Sequence, residues 1–352
     1  MPEIRIYLLT CRRAHLLPRA LRSLLAQTHT DWVCELHNDA PEDDEPRRVL
    51  AAEAGSDPRF VYQAHARNLG AVTSFNLAFQ PIAEPFAAIL EDDNWWEPGF
   101  LAGLKATLEA EPDAVAAWAN LRIHEEQADG RWLDTGRTVW AVGQGRRRFN
   151  WPDPRQMLDA LHSQGALLFR AGAQPPQPVP AATPLAQIEP VRERGLARAI
   201  VLDERPLGHF ALTRTTARSS DRLVWLQGQM LVAGSFLAHV PLSSRGWAGL
   251  WRQLQLTRPR NTNLFLLLAL AGVARPAITG QARLADWLHL AAAFLRHPRL
   301  HCAALSFRSR HRALWDWLDR EAGLRTAEAR RRGFTELDVG PSLAKNPPGA
   351  AP

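Results

Sequence analysis

Residues 87–100 read AAILEDDNWWEPGF: Glu91, Asp92 and Asp93 close a short apolar run, and Trp95 and Trp96 follow almost at once. Adjacent carboxylates repel one another, and burying one without a partner is costly enough to force protonation. The cluster is therefore either a wet turn ahead of a helix, whose first turn Glu97 and Pro98 suit, or a seat for something positive. Thr10 and Asp39 also end apolar runs, in IRIYLLT and WVCELHND. Alone, Asp39 reads equally well as a helix N-cap or Asx turn.

The surrounding pattern decides what positions these groups. Ile4–Leu9 is a buried strand, and Leu17, Ala20, Leu21, Leu24 and Leu25 then form a helical stripe with Pro18 in its first turn. Trp32–Asn38 is a second strand, Pro46–Ala54 a helix and Arg59–Gln63 a third strand. Gly70–Phe79 reads as helix, Phe86–Leu90 as strand four, Gly99–Leu108 as helix and Ala114–Ala119 as strand five. Strands alternating with helices at this spacing predict an α/β chain with a mostly parallel sheet. Ligands of such sheets sit beyond the carboxyl ends of strands, where Thr10, Asp39, Asp92 and Asp93 all fall. Asp129-Gly130 marks a hairpin turn in EEQADGRWLDT. Ala171–Pro184 is a Pro/Ala loop.

Several chemistries are excluded. No GxGxxG follows the first strand, no Walker A loop exists, and the GxSxG nucleophile elbow is absent. The cysteines, Cys11, Cys34 and Cys302, are scattered and odd in number, which predicts reduced thiols and no zinc site. The start MPEIRIYLLT lacks the pattern of a signal peptide, and the apolar stretch Leu264–Ala274 is too short to cross a bilayer. A cytoplasmic protein is expected, peripheral at the inner face of the membrane at most. Charge is uneven: 16 arginines stand against five acids over residues 241–332. No nucleic-acid-binding motif accompanies that charge.

Four linked segments over residues 3–120 resemble the family 2 glycosyltransferases: YLLTCRR with LRSLLAQTHTDW, HNDAPEDD, HARNLGAVTSFNLAF and ILEDDNWWEPGF. HSQGALLFR (His162–Arg170) is similar to the family's acceptor-side segment, and AIVLDERPLGHFALTR (Ala199–Arg214) to its closing strand. The resemblance implies a GT-A fold and a nucleotide-sugar donor. It makes Asp93 the principal ligand of a Mn²⁺ or Mg²⁺ ion in a DXD-like motif, with Asp92 beside it against the donor sugar or ribose. It implies that Asp39 accepts from the base's imide N–H, that Thr10 and Arg12 line the nucleotide pocket, and that Arg67 lines its far side. Asn68-Leu69-Gly70 would bring backbone N–H groups to the donor. Trp95, Trp96 and His162 would stand on the acceptor side, with one of the two tryptophans packing under the metal loop.

Inverting transfer needs a base for the acceptor hydroxyl. The family's base is an Asp in an ED pair upstream of a Gly, but counting back from Gly195 lands on Thr183 and Pro184. Glu189 is the nearest carboxylate and takes the role here. The expected organisation is a GT-A domain over 1–240 (donor half 1–120, acceptor half 121–240), a basic helical extension over 241–335 and a disordered tail over 336–352. Leu284, Trp287, Leu288, Ala291 and Leu295 form one apolar stripe within that extension. The extension is read as a helical cap with its arginines in water, or as a peripheral contact with anionic lipid. The expected activity is metal-dependent, inverting transfer from a UDP- or dTDP-sugar to a glycan or lipid-linked acceptor. The rival expectations are a catalytically impaired nucleotide-sugar-binding relative, or a nucleotidyltransferase on a related fold.

Overall fold

The computed structural model describes residues 1–171, 176–214, 221–256 and 283–339. The tail from residue 340, the stretch Leu264–Ala274 and part of the Pro/Ala loop lie outside the described residues. Four strands run parallel: β1 (Ile4–Thr10), β2 (Trp32–Asn38), β3 (Phe60–Ala64) and β4 (Phe86–Glu91). They carry almost continuous apolar runs because helices cover both faces of the sheet. The sheet continues through β5 (Trp95–Trp96), β6 (Ala116–Glu126), β9 (Leu167–Arg170) and β10 (Ile200–Leu212), in the order β3-β2-β1-β4-β9-β6-β10-β5. β7 (Trp132–Thr138) pairs with β6 through the turn at Gly130, and β8 (Arg146–Phe149) pairs with β10.

The crossovers are α1 (Leu17–Leu25), α2 (Glu45–Ala54), α3 (Ala71–Asn76) and α4 (Phe100–Ala110). α1 matches its predicted stripe, burying Leu17, Ala20, Leu21 and Leu24. The helix read over Gly70–Phe79 is shorter: α3 gives way to a tight turn at Leu77–Phe79. Nothing in the local pattern marks Trp95–Trp96 as a strand. It exists because Gly208 and His209 of β10 pair with it antiparallel, a partnership over a hundred residues away in sequence.

α5 (Ile188–Gly195) precedes β10, and α6 (Arg222–His239) follows it, capped by Asp221 accepting from the Leu223 and Val224 N–H groups. α7 (Ser244–Leu256), α8 (Leu284–Arg296), α9 (Pro298–Leu305), α10 (Phe307–Arg310) and α11 (Arg312–Arg331) complete the described helices. α9, α10 and α11 pack on α6, and α11 also packs on α5. One apolar core runs from Ile4 in β1 to Leu318 in α11. α6, which falls within residues 1–240, thus joins the same packing as the helices after it. Among the described residues no helix is long and apolar enough to cross a membrane.

Candidate active site

β2, β1 and β4 are neighbours with Thr10 level with Asn38 and Leu9 level with Glu91. That register alone brings the residues that follow each strand to one rim. Asp39 N–H donates to Thr10 O at 2.9 Å, and Asp92 N–H donates to Leu9 O at 3.1 Å, so backbone bonds fix both loops. Thr10 Oγ1 donates to Asp92 Oδ2 at 2.7 Å.

The acids have a cation within the chain. Arg13 lays its guanidinium across both aspartates, Nη2 on Asp92 Oδ1 and Nη1 on Asp93 Oδ2 at 2.7 Å. Arg19 Nη2 donates to Asp93 O at 2.7 Å, with its guanidinium 3.8 Å from the Trp95 ring centre and 4.0 Å from that of Trp132. Burial lowers the Arg19 pKa to about 10, against the pull of Asp93 and Glu126. Asp92 is fully buried, and burial pushes its carboxyl up to about 7 despite Arg13. Glu91 is pushed up to about 8, first by burial and then by the charges of Asp93 and Glu189. The triplet is tolerated because burial pushes Glu91 toward its protonated form, Asp92 is paired twice, and Asp93 keeps 15% of its side chain exposed.

Asp39 is buried, and its carboxylate accepts from the Leu69 and Gly70 N–H groups, the latter at 3.0 Å. The N–H groups expected to approach a donor at Asn68–Gly70 are therefore taken by Asp39. Each carboxylate oxygen keeps a second lone pair for a ligand. Asn68 Nδ2 donates to Asp39 O at 2.6 Å. Gly70 has φ +79°, a conformation that costs a side-chain-bearing residue but not glycine. Arg12 also lies in the left-handed region, at φ 56°, and pairs with Glu42 in solvent. After that turn the chain delivers Arg13, not Arg12, to the acids. Arg12 feels Asp39 only as a weak, more distant charge, and Arg67 is exposed.

The two tryptophans divide. Trp96 is core: it stacks on Phe100 at 4.0 Å, and its Nε1 donates to Gly165 O at 2.7 Å. Trp95 is half-buried, with His209 stacked on its ring at 4.6 Å and the Arg19 guanidinium over the ring as well, so its faces are covered by the chain's own side chains. His162, expected on the acceptor side, is buried with Nδ1 2.8 Å from Glu193 Oε1. Glu193 also accepts from the Leu161 and His162 N–H groups, so the pair pins this turn rather than facing an acceptor.

Glu189 lies in the first turn of α5, where its Oε1 accepts from Gln164 N–H at 2.8 Å. Its charge reaches Glu91, which places it beside the acidic rim, half-buried. Gly165 lies against the same cluster: a Cβ there would come within 2.8 Å of Glu91 Oε2 and 2.9 Å of Asn94 Nδ2, two atoms already bonded to each other. Gly165→Ala should therefore destabilise the protein by about 1–3 kcal/mol, seen as a lower melting temperature in calorimetry; an unchanged melting temperature would show that the cluster yields freely. Arg13, Arg19 and Glu91 are the residues that sequence reasoning left without a role. Arg13 stood next to a named candidate, and only the backbone turn at Arg12 tells the two apart.

Residues 6–164 match the family model described as glycosyl transferase family 2. These residues form a family 2 glycosyltransferase domain. Among curated proteins nothing matches the chain. The structure of residues 1–349 of S. aureus TarS in complex with UDP-GlcNAc is similar with a TM-score of 0.55 and 10% identity, covering 95% of this chain and 92% of that one. A longer S. aureus TarS structure gives a TM-score of 0.52 at 10% identity, covering 91% of this chain but 55% of TarS. At such identity the likeness establishes the fold, which is GT-A. The glycosyltransferase domain includes every rim residue from Thr10 to Asp93, whereas Glu189 lies beyond the matched stretch.

Proposed function

We propose that the protein transfers a sugar from a UDP- or dTDP-sugar to a hydroxyl of a glycan or lipid-linked acceptor, with inversion at the anomeric carbon. The observation that carries this reading is the meeting of Thr10, Asp39 and Asp93 at the ends of adjacent strands in a family 2 domain. Asp39 orients the base, and Glu189 takes the proton of the attacking hydroxyl. As the acceptor oxygen bonds to C1, the bond from C1 to the diphosphate breaks and negative charge collects on the leaving nucleotide. The free state of all three cysteines, Cys11, Cys34 and Cys302, supports a reducing compartment.

The donor set suits Mn²⁺ or Mg²⁺, because Asp92 and Asp93 present hard oxygens. Among the described residues no three His, Cys, Asp or Glu side chains gather to hold an ion unaided. Asp93 would thus bind it with the donor's phosphates, and the ion would supply charge neutralisation to the leaving group. Arg13 already engages Asp93 Oδ2, so ion and guanidinium compete for one carboxylate. Arg13→Gln should bind Mn²⁺ without nucleotide about tenfold or more tightly than the parent, measured by calorimetry. Equal affinities would show that Arg13 does not guard the acids.

Thermal stabilisation across a panel of nucleotide sugars tests the function. UDP- or dTDP-sugars should stabilise, by about 2.7 kcal/mol at a hundredfold excess over Kd, and Asp39→Ala should abolish the selectivity for the base. No stabilisation by any donor would refute the reading. A second reading, a donor-binding relative without turnover, is favoured by Thr183 and Pro184 standing where the family's base is expected. It predicts stabilisation by the same donors with no transfer to any acceptor.

A further inference from the structure

α8 is apolar on two opposite sides. Its inner side buries Asp286 and Ala293, with Leu290 and Phe294 packed against the core. Its outer side carries Leu284, Trp287, Leu288 and Leu295, which are 76%, 41%, 62% and 79% exposed. With Ala291, also exposed, they span an arc of about 100° centred opposite Asp286 and Ala293. Large apolar side chains lined up in water mark an interaction surface more often than a solvated face.

The charges that follow this strip in the sequence indicate what it meets. Residues 283–312 contain six arginines and one acid. That acid, Asp286, is buried and turned inward, accepting from Arg283 N–H at 3.1 Å and Trp251 Nε1 at 3.3 Å. Arg296, Arg299, Arg308, Arg310 and Arg312 are exposed, and among the described residues Arg312 alone of these has a carboxylate near it, Asp316 at 3.8 Å. A second copy of the chain on this face would set arginines against arginines. An anionic bilayer answers both features, since its acyl boundary takes leucine and tryptophan while its phosphates take arginine.

We propose that the outer face of α8, with the arginines that follow it, is a docking surface for an anionic membrane. It lies in the interface plane, as an amphipathic helix does, and spans nothing. The inference is independent of the sugar-transfer reading, because none of its residues belongs to the rim.

The full chain should co-sediment with vesicles of equimolar phosphatidylglycerol and phosphatidylcholine, and far less with phosphatidylcholine alone. Leu288→Glu combined with Leu295→Glu should weaken that partition about tenfold or more. Both positions are exposed, so the variant's melting temperature and UDP affinity should match the parent's, which separates this test from that of the active site. If residues 257–282 or a second copy cover the face, the parent protein stays in the supernatant, and the proposal is overturned. Equal sedimentation of parent and variant, or equal binding to neutral vesicles, overturns it as well.

Discussion

Replacing Glu189 by glutamine should lower sugar transfer by about 10²–10⁴-fold while leaving donor affinity within a factor of about two. The substitution is nearly isosteric, and its amide oxygen can still accept from Gln164 N–H. What it loses is the ability to take a proton. The position suits the role, because Glu189 is half-buried, sits in the first turn of α5 and stands beside the acidic rim. Steady-state kinetics with a competent acceptor, paired with a UDP titration, separates the two effects. A transfer rate that survives the substitution would move the base elsewhere.

Asp93→Ala should lower transfer by about 10²–10³-fold, the usual loss when a group that stabilises developing charge is removed. Stability should change little. Asp92, the fully buried member of the pair, keeps its bonds to Thr10 and Arg13, so no orphaned charge is left inside. The converse substitution behaves differently. Asp92→Ala leaves Thr10 and Arg13 without their shared buried partner, and it should be the less stable of the two variants in thermal unfolding. An Asp93 variant with full activity would mean that Arg13 alone supplies the positive charge the reaction needs.

The first 120 residues are legible because their code is local. β1, β2 and β4 are short, uninterrupted apolar runs, each ended by a polar residue, and a parallel sheet places such ends together. α1 shows its buried face in its own spacing. What cannot be read depends on partners distant in sequence. Trp95–Trp96 becomes a strand only against Gly208 and His209, and Trp96 becomes core only beneath Gly165. Arg12 and Arg13 are identical in type, and the left-handed backbone at Arg12 decides which reaches the acids. His162 looks like an acceptor contact because its segment does, yet Glu193 holds it inside. The stripe on α8 is plain in its spacing, but spacing does not say whether an apolar face turns toward the core or away from it.

One titration reaches the centre of this account: calorimetry of UDP binding to the intact chain, with and without Mn²⁺. A rim built to bring a cation and a diphosphate together predicts that UDP binds at least about tenfold more tightly with the ion present, and that Asp93→Ala erases the difference. Identical UDP affinities in the two conditions would contradict it.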